Sequence, residues 1–366
     1  MRYLRKKRTP LLAALTGNKP RCVSFHEVYP EAEVLWRRIY EPVSTPEARS
    51  WTFAERAKHF NREDHSPPPD FLAIARNALY SPGNEIVIGP NRNIIAESCN
   101  TAWVGNIFKR ELYRRPVRHR GYAFLLRGPF KTYYHRLIEF LPRLLAISDF
   151  LKQERIPTSD VSLLIGKALN EHERFLLNSV GLSGIEIKQY PPGRPVSVDR
   201  LIFTPFKSHC FSGYIPPPYV ESLRCLYDLE GGTKRAERIL IVREENENRK
   251  IANDRDLQEE LKRYDFTPYC LGTLPFTDQI SLFGSAEAVV GAHGAGFANT
   301  IFSFSPVVLE AFPSHYIMPY YYLLSKSVRA DYTFVAGSDN ALRKSKEFYI
   351  DIDIVLKNLN KMNIVY

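Results

Sequence analysis

The sequence has few cysteines, no metal-binding histidine pattern and no long apolar run. Its five cysteines are widely spaced, odd in number and include no CxxC pair, which excludes a zinc knuckle and argues against a disulfide framework. None of the nine histidines belongs to an HExxH pattern, and we identify no Asp-x-Asp pair of the kind that holds a metal against a sugar diphosphate. The residues therefore make no positive case for a metal or another cofactor. No window has the apolar length of a membrane span or the apolar core of a signal peptide, so we expect a cytoplasmic protein.

The composition is that of a globular protein with an excess of positive charge. Hydrophobic residues make up 44% and aromatic residues 13% of the 366 residues, which suits two domains of ordinary size and excludes a disordered chain. The net charge is +10, and the segment from Arg2 to Arg21 holds seven basic residues and no acid. This basic arm is either a solvated tail or a peripheral contact with the anionic inner face of a membrane. A second basic cluster at residues 109–120 is either a solvated face or a site for an anionic acceptor, and no nucleic-acid partner is predicted.

The most informative segment is a glycine-rich turn between two apolar runs. Residues 288–299 read Ala-Val-Val-Gly-Ala-His-Gly-Ala-Gly-Phe-Ala-Asn, a pattern typical of a strand, a tight loop and the start of a helix. Glycines let the backbone take positive φ and approach a ligand closely, and the first N–H groups of a helix suit a phosphate. Strand-to-helix connections also use glycine for geometry alone, so both interpretations stay open for this segment by itself.

Strands and helices are predicted to alternate around this turn, at the spacing of a parallel sheet with right-handed crossovers. Such sheets bind ligands beyond the carboxyl ends of their strands. Arg243, Arg249, His293 and Glu310 all fall at or just after predicted strand ends, and two arginines with helix N-terminal amides suit a diphosphate. The predicted strands of this half span residues 238–243, 264–269 and 306–311, its helices span 254–263 and 277–285, and a closing helix at 352–359 is expected to pack on the first half.

The earlier part of the chain is predicted to form a first doubly wound half that begins at Gly121. Its predicted strands span residues 122–126, 161–165, 185–188 and 200–203, and its helices lie around His135 and at 171–180.

Two groups of motifs resemble glycosyltransferase family 61, over roughly residues 120 to 315. In the C-terminal half the resemblance rests on Val242-Arg243, on residues 249–253, on residues 279–283 and on residues 291–296 with Asn299. In the N-terminal half, residues 133–144 are similar to an aromatic-aromatic-His helix that ends near Leu-Pro-Arg. Two positions depart from the family pattern: Val242 replaces the usual Ser, and Arg136 replaces an aromatic residue.

The resemblance implies an α/β fold of GT-B type, with two Rossmann-like doubly wound domains facing across a cleft. It implies an inverting glycosyltransferase that moves a hexosyl or pentosyl group from a nucleotide-sugar donor, often UDP-linked, to a hydroxyl of a glycan or lipid-linked glycan. No metal is obligatory in this family, and bacterial relatives are associated with capsule or other surface polysaccharides. We predict an N-terminal extension at residues 1–75, an acceptor domain at 76–230 and a donor domain at 231–366.

Transfer requires a group that takes the proton from the acceptor hydroxyl. His135 and Glu139 are four residues apart and share one face of a helix, so either His135 is the base and Glu139 orients it, or Glu139 is the base itself. The alternative is that His135 packs as an interior histidine among Tyr133, Tyr134 and Leu137.

On the donor side, Arg243 and Arg249 are assigned to the diphosphate, together with the amides of residues 294–297. Glu310 is assigned to the ribose hydroxyls. Alternatively, neighbouring glutamates neutralise the arginines, and Glu310 is structural. The full set of predicted donor-binding residues is Arg243, Arg249, His293, Gly294, Ala295, Gly296, Asn299 and Glu310.

Two other functional classes stay open. A catalytically inactive protein that binds a nucleotide sugar or a glycan would carry the same motifs, and the Arg136 departure keeps this class in view. A dinucleotide-dependent oxidoreductase is less favoured, because residues 291–296 do not follow G-x-G-x-x-G and no acidic residue follows about 20 positions later at a second strand end.

Overall fold

The structure is a computed structural model that describes most of the chain in nine segments. The basic arm from Arg2 to Arg21 lies outside them. The described residues form a mixed α/β fold with two main sheets, so the predicted α/β class is confirmed. The described segments are residues 22–39, 43–44, 64–65, 67–99, 109–207, 213–229, 237–244, 248–338 and 347–365.

The N-terminal half is built on a nine-stranded sheet. Four of its strands run parallel, in the order β11 Val196–Phe203, β8 Val117–Leu125, β9 Val161–Ile165 and β10 Glu186–Gln189. On the other side of β11 the sheet continues antiparallel into β5 Asp70–Ser81 and β6 Ile86–Ile88. The strands of this half are β1 Cys22–Val23, β2 Glu33–Arg38, β3 Val43–Ser44, β4 Asp64–His65, β5 Asp70–Ser81, β6 Ile86–Ile88, β7 Ile94–Ile95, β8 Val117–Leu125, β9 Val161–Ile165, β10 Glu186–Gln189 and β11 Val196–Phe203, of which β3 and β4 pair separately.

The predicted boundary at residue 75 falls inside β5, and β1 and β2 belong to the same sheet. Most residues of β5 are buried, because helices and loops cover both faces of this central strand. The segment predicted as an extension therefore contributes strands to the first half, whose sheet is mixed rather than wholly parallel.

The helix that follows β8 contains one wide turn. Pro142 has no N–H to donate to the carbonyl of residue 138, and its ring would clash with that carbonyl in a regular α-helix. A π turn at Arg136–Phe140 directly precedes it, and such turns are frequent at functional sites. The helices of this half are α1 Phe25–Val28, α2 Lys109–Leu112, α3 Tyr133–His135, which the π turn continues, α4 Leu141–Gln153, α5 Glu171–Ser179 and α6 Pro217–Leu226, with short 3₁₀ turns at Ala96–Ser98 and Thr158–Asp160.

The C-terminal half contains a five-stranded sheet in which every strand is parallel to its neighbour. Its strands lie in the order β14 Phe266–Tyr269, β12 Glu237–Ile241, β15 Ala286–Ala292, β16 Val307–Pro313 and β17 Asp331–Gly337. The first strand of this sheet in the chain therefore lies between its second and its third, which is a common doubly wound order. Two further strands of this half, β13 Lys250–Ile251 and β18 Glu347–Phe348, pair separately with each other. The helices are α7 Asp254–Lys262, α8 Phe276–Gly284, α9 Tyr320–Val328 and α10 Ile352–Lys361, with 3₁₀ helices at Leu271–Thr273 and Ala295–Phe302.

The closing helix α10 packs on the C-terminal sheet. Its buried Val355 and Leu359 join a cluster that contains Leu240 of β12 and Ala288 of β15. The expectation that this helix packs on the first half is therefore wrong, because the outer face of the second sheet needs a cover of its own. The other face of that sheet belongs to a core shared by both halves, in which Phe140 and Val289 are buried together.

Candidate functional site

A cavity of about 840 Å³ lies between the two halves. Its walls come from segments that follow the carboxyl ends of β8 and β9 in one sheet and of β12, β14 and β15 in the other. In the second sheet, β12 and β15 are neighbours. The strand that follows β12 in the sheet, β14, lies on one side of this pair, and the strand that follows β15, β16, lies on the other. Open parallel sheets bind ligands at the point where the strand order reverses in this way. The cavity is therefore the candidate functional site.

The glycine-rich turn lines this cavity but does not have the predicted backbone. Gly294 has φ 176°, which is extended, and the glycines with positive φ in the described residues are Gly121, Gly181 and Gly193. A 3₁₀ helix follows the turn instead of an α-helix. The expectation of positive φ at this turn is thus wrong.

The glycines are needed for close packing. A Cβ on Gly294 would overlap the guanidinium of Arg243, and a Cβ on Gly296 would lie 2.8 Å from Cδ1 of Leu271. At Gly294 the group that lies close to the backbone is therefore the Arg243 side chain, where a ligand was expected. A ligand in the cavity would contact the surface that Arg243 and the turn form together.

Arg243 joins two loops of the cavity wall. Its Nη1 donates to the carbonyl of Asn248 and its Nη2 donates to the carbonyl of His293, both at 2.7 Å. These bonds fix the guanidinium beside Gly294. A guanidinium has five N–H donors, so Arg243 can hold the loops and still contact an anion.

Arg249 presents a guanidinium that no carboxylate neutralises within the described residues. Its Nε is buried without a hydrogen-bond partner there, and its Cζ lies 5.2 Å from the centroid of the Tyr316 ring. The backbone of Arg249 has φ 65°, an uncommon conformation for a residue with a side chain. Three glutamates, Glu244, Glu245 and Glu247, lie between the two arginines in the sequence. Glu244 lines the cavity without an ion pair to Arg249, and Glu245 and Glu247 lie outside the described residues.

Three predicted donor-binding residues lie behind the cavity wall. Glu310 is fully buried, and its carboxylate binds Nδ1 of His293 through one oxygen and the Tyr332 hydroxyl, at 2.5 Å, through the other. The His293 ring packs on Phe312, with 4.8 Å between ring centroids. The ribose contact of Glu310 stays a prediction, and the structure does not bring its oxygens to the cavity.

Asn299, the third of these residues, ties the two halves together. Its Oδ1 accepts from the Tyr133 hydroxyl at 2.5 Å, and its Nδ2 donates to Oε1 of Gln279 at 2.9 Å. The Tyr133 hydroxyl also lies 3.1 Å from that Gln279 oxygen. Three separate motifs of the resemblance therefore meet in one hydrogen-bonded cluster, and two of its members, Tyr133 and Gln279, line the cavity.

The predicted catalytic pair lies on the other side of the helix. His135 Nδ1 is 2.9 Å from Oε1 of Glu139, yet this contact does not have hydrogen-bond geometry, so we regard it as proximity only. The His135 ring stacks on Phe130 at 4.8 Å between centroids. Neither His135 nor Glu139 lines the cavity, whereas Tyr133 and Arg136 of the same helix do.

Sequence reasoning missed the wall that the N-terminal half contributes. It includes Arg136, Glu171, His172 and Phe175, with Phe276 of α8 against them. The capping box that starts α5, in which Asn170 and Glu173 exchange hydrogen bonds, was the available signal. It places residues 171–175 at the first turns of a helix after the carboxyl end of β9.

His172 is an uncharged member of this wall at neutral pH. Burial, with a smaller contribution from the charge of Arg136, lowers the pKa of His172 to about 4. Its ring stacks on Tyr133 and meets Phe276 edge-on, with centroids 5.2 Å and 4.3 Å away. Both ring nitrogens are buried without a partner among the described residues.

Neither Asp-x-Asp pair of the chain, Asp254 with Asp256 or Asp351 with Asp353, lines the cavity; each lies at the start of a helix. Across the described segments, no group of three His, Cys, Asp or Glu side chains is arranged to hold a metal ion. No helix in those segments is long and apolar enough to cross a membrane. The basic cluster at 109–120 leads into the amino end of β8, away from the cavity, and Arg118 there is paired with Asp199 at 2.8 Å.

Comparison with known families supports one class of protein. Residues 133–309 match the family model described as Glycosyltransferase 61, and all residues that line the cavity fall inside this span. The match supports glycosyltransferase family 61 over this span and, with it, a transferase that acts on sugars. No curated protein matches the chain.

Proposed function

We propose that the protein is an inverting glycosyltransferase that moves a sugar from a nucleotide-sugar donor, UDP-linked, to a hydroxyl of a glycan or lipid-linked glycan. The observation that carries the proposal is the cavity between the two sheets, at the carboxyl ends of strands from both. Two doubly wound halves of GT-B type, one for the donor and one for the acceptor, would create such a cavity.

The donor diphosphate is proposed to bind the C-terminal wall. Arg249 offers a guanidinium without an ion-pair partner among the described residues, and Arg243 is held beside the backbone of residues 294–296. Guanidinium groups and the N–H groups at a helix start bind phosphate oxygens well, and they stabilise the negative charge of a departing diphosphate. No metal is required in this scheme.

The acceptor is proposed to bind the N-terminal half, with His135 or Glu139 as its base. Both residues stand on the helix that also presents Tyr133 and Arg136 to the cavity. Because their side chains face away from the cavity lining, the acceptor hydroxyl would have to approach along that second face of the helix.

A second candidate function is binding of a nucleotide sugar or glycan without transfer. It is favoured by one observation, the absence of His135 and Glu139 from the cavity lining. Release of free nucleotide diphosphate in the presence of an acceptor extract distinguishes the two functions, because only the transferase produces it.

The cellular setting is proposed from the sequence. A cytoplasmic enzyme with the basic arm Arg2–Arg21 against an anionic membrane suits a lipid-linked acceptor used for capsule or another surface polysaccharide. Co-sedimentation with anionic and with neutral vesicles tests the contact, and equal sedimentation with both contradicts it.

A thermal-shift panel of nucleoside diphosphates tests the donor assignment. A ligand at 100 times its dissociation constant stabilises the folded state by about 2.7 kcal/mol. We expect UDP to raise the melting temperature more than ADP, CDP or GDP, and we expect a smaller shift in the Arg249→Ala variant. If no nucleoside diphosphate shifts the wild-type protein, the donor assignment is wrong.

A further inference from the structure

A third guanidinium, that of Arg136, faces the cavity from the wall opposite Arg243 and Arg249. Arg136 follows β8 of the first sheet, whereas Arg249 follows β12 of the second. Among the described residues the buried Nε of Arg136 has no hydrogen-bond partner and its guanidinium forms no ion pair. A half-buried charge without a partner is costly, so an unpaired guanidinium in a cavity wall points to an anion supplied from outside the chain.

Glu173, the carboxylate whose pKa the charge of Arg136 helps to lower, is already used by other partners. Glu173 receives two hydrogen bonds from Arg127, one of them at 2.7 Å, and a third from the backbone N–H of Asn170 at 3.0 Å. The charge of Arg136 contributes only the last of the causes that lower the pKa of Glu173. Glu173 is also fully buried, so it cannot turn towards the cavity to neutralise Arg136.

The surroundings of Arg136 suit an anion joined to a sugar or to an apolar chain. The neutral His172 ring lies beside it, and both of its buried ring nitrogens lack a partner among the described residues. Phe175 and Phe276 continue the same wall, and aromatic faces pack against the C–H groups of a sugar ring or a lipid. Glu171 also lines this part of the cavity, so the anion must approach the side of Arg136 away from that carboxylate.

We propose that Arg136 binds a second anionic group of the substrate, distinct from the donor diphosphate: a carboxylate or phosphate carried by the transferred sugar or by the acceptor. The proposal rests on the proposed function, because it assigns the diphosphate to the opposite wall. Under this proposal the substrate is acidic: its diphosphate binds one wall of the cavity and its second anionic group binds the opposite wall.

Calorimetric titration of matched probes tests this assignment. UDP-glucuronate and UDP-glucose differ by a single carboxylate on the sugar, and UDP alone reports the diphosphate site. If the anion is on the sugar, wild type prefers UDP-glucuronate, and Arg136→Gln loses about tenfold to 100-fold in affinity for it while binding UDP within a factor of about two of wild type. If the anion is an acceptor phosphate, wild type binds dodecyl phosphate in the presence of UDP, and Arg136→Gln loses that binding instead.

Two further variants separate the possible roles of Arg136. Arg249→Gln is the matched control and should weaken UDP and both UDP-sugars alike. Arg136→Lys keeps the charge without the bidentate geometry and should retain part of the affinity. Circular dichroism and melting temperatures close to wild type show that the variants are folded.

Several results would overturn the proposal. Arg136→Gln could weaken UDP as much as Arg249→Gln does, which would make Arg136 a ligand of the donor diphosphate. Wild type and Arg136→Gln could also bind every anionic probe equally. If wild type binds no UDP compound, the proposed function fails, and glucuronate and inorganic phosphate then test Arg136 alone; equal binding by wild type and Arg136→Gln overturns the second proposal as well.

Discussion

The two halves of the molecule form their walls of the cavity in different ways. The C-terminal wall depends on backbone: an extended glycine turn, a 3₁₀ helix, and Arg243 bonded to two carbonyls. The N-terminal wall depends on side chains of two helices, among them Arg136 and His172, whose polar atoms have no partner among the described residues. The C-terminal wall is therefore preorganised for one kind of ligand. In the N-terminal wall, substitution of a side chain can change the ligand that is bound without disturbing the fold.

A similar contrast separates the two histidine–glutamate pairs. In the C-terminal half, His293 and Glu310 are buried, bonded to each other and surrounded by aromatic rings. In the N-terminal half, His135 and Glu139 are close without a hydrogen bond; Glu139 is buried and His135 is partly exposed. The same two residue types therefore form a structural unit in one half and an adaptable pair in the other.

The largest effect is expected at the glycine turn. Gly294→Ala places a Cβ where the Arg243 guanidinium lies, so the variant should displace this side chain, lose detectable binding of the nucleoside diphosphate and melt at a lower temperature. Calorimetry and circular dichroism measure the two effects. Gly272→Ala is the control, because a Cβ at Gly272, also in the cavity lining, meets nothing within 4 Å. Normal donor binding by Gly294→Ala would contradict the account of a rigid C-terminal wall.

A loss of turnover is expected at the N-terminal half. His135→Ala should lower turnover by about 10²–10⁴-fold, the usual contribution of a positioned base, with little change in donor affinity. Glu139→Gln should cause a smaller loss if Glu139 only orients the imidazole and a comparable loss if it is the base. His119→Ala, at the opposite end of β8, is the control. Near-normal turnover of His135→Ala would make this histidine a packing residue.

The two arginines of the C-terminal wall should respond differently to truncation. Arg249→Ala removes a guanidinium that has no ion pair among the described residues, so it should weaken nucleoside diphosphate binding by about 1.5–3 kcal/mol and leave the melting temperature unchanged. Arg243→Ala should weaken binding and also lower the melting temperature, because two backbone carbonyls lose their donor. Titration with UDP, and with uridine as the control without phosphate, measures the first effect. Unchanged UDP affinity in both variants would show that the diphosphate binds elsewhere.

The smallest effect is a pH dependence of stability at the N-terminal wall. Burial and Arg136 hold the pKa of His172 at about 4 in the folded protein, against about 6.5 in the unfolded chain. Between these values the unfolded chain carries a proton that the folded protein lacks, so this contribution to stability falls as the pH drops from about 6.5 to about 4. Urea unfolding at pH 7 and pH 4.5 should therefore show a larger loss for wild type than for His172→Gln. Equal losses in both proteins would place His172 in a solvated environment.

The C-terminal half was the more predictable one because its pattern is local. Buried parallel strands read as short apolar runs, and helices between them show their starts and ends in the sequence, so the predicted helix at 254–263 and α7 Asp254–Lys262 nearly coincide. The N-terminal sheet was less predictable, because β5 pairs with β11 across more than 100 residues, and no local signal carries that pairing.

Within the candidate site, the sequence by itself determined which loops meet. Arg243, Arg249 and residues 294–296 follow strand ends, and parallel strands bring their carboxyl ends to one edge of a sheet. Only the tertiary structure decided which side chains reach the cavity. Packing turns Glu310 and His293 into the core and places Arg136 and His172 on the opposite wall. The reason is that burial depends on contacts between segments that are far apart in the chain, and no local sequence pattern specifies those contacts.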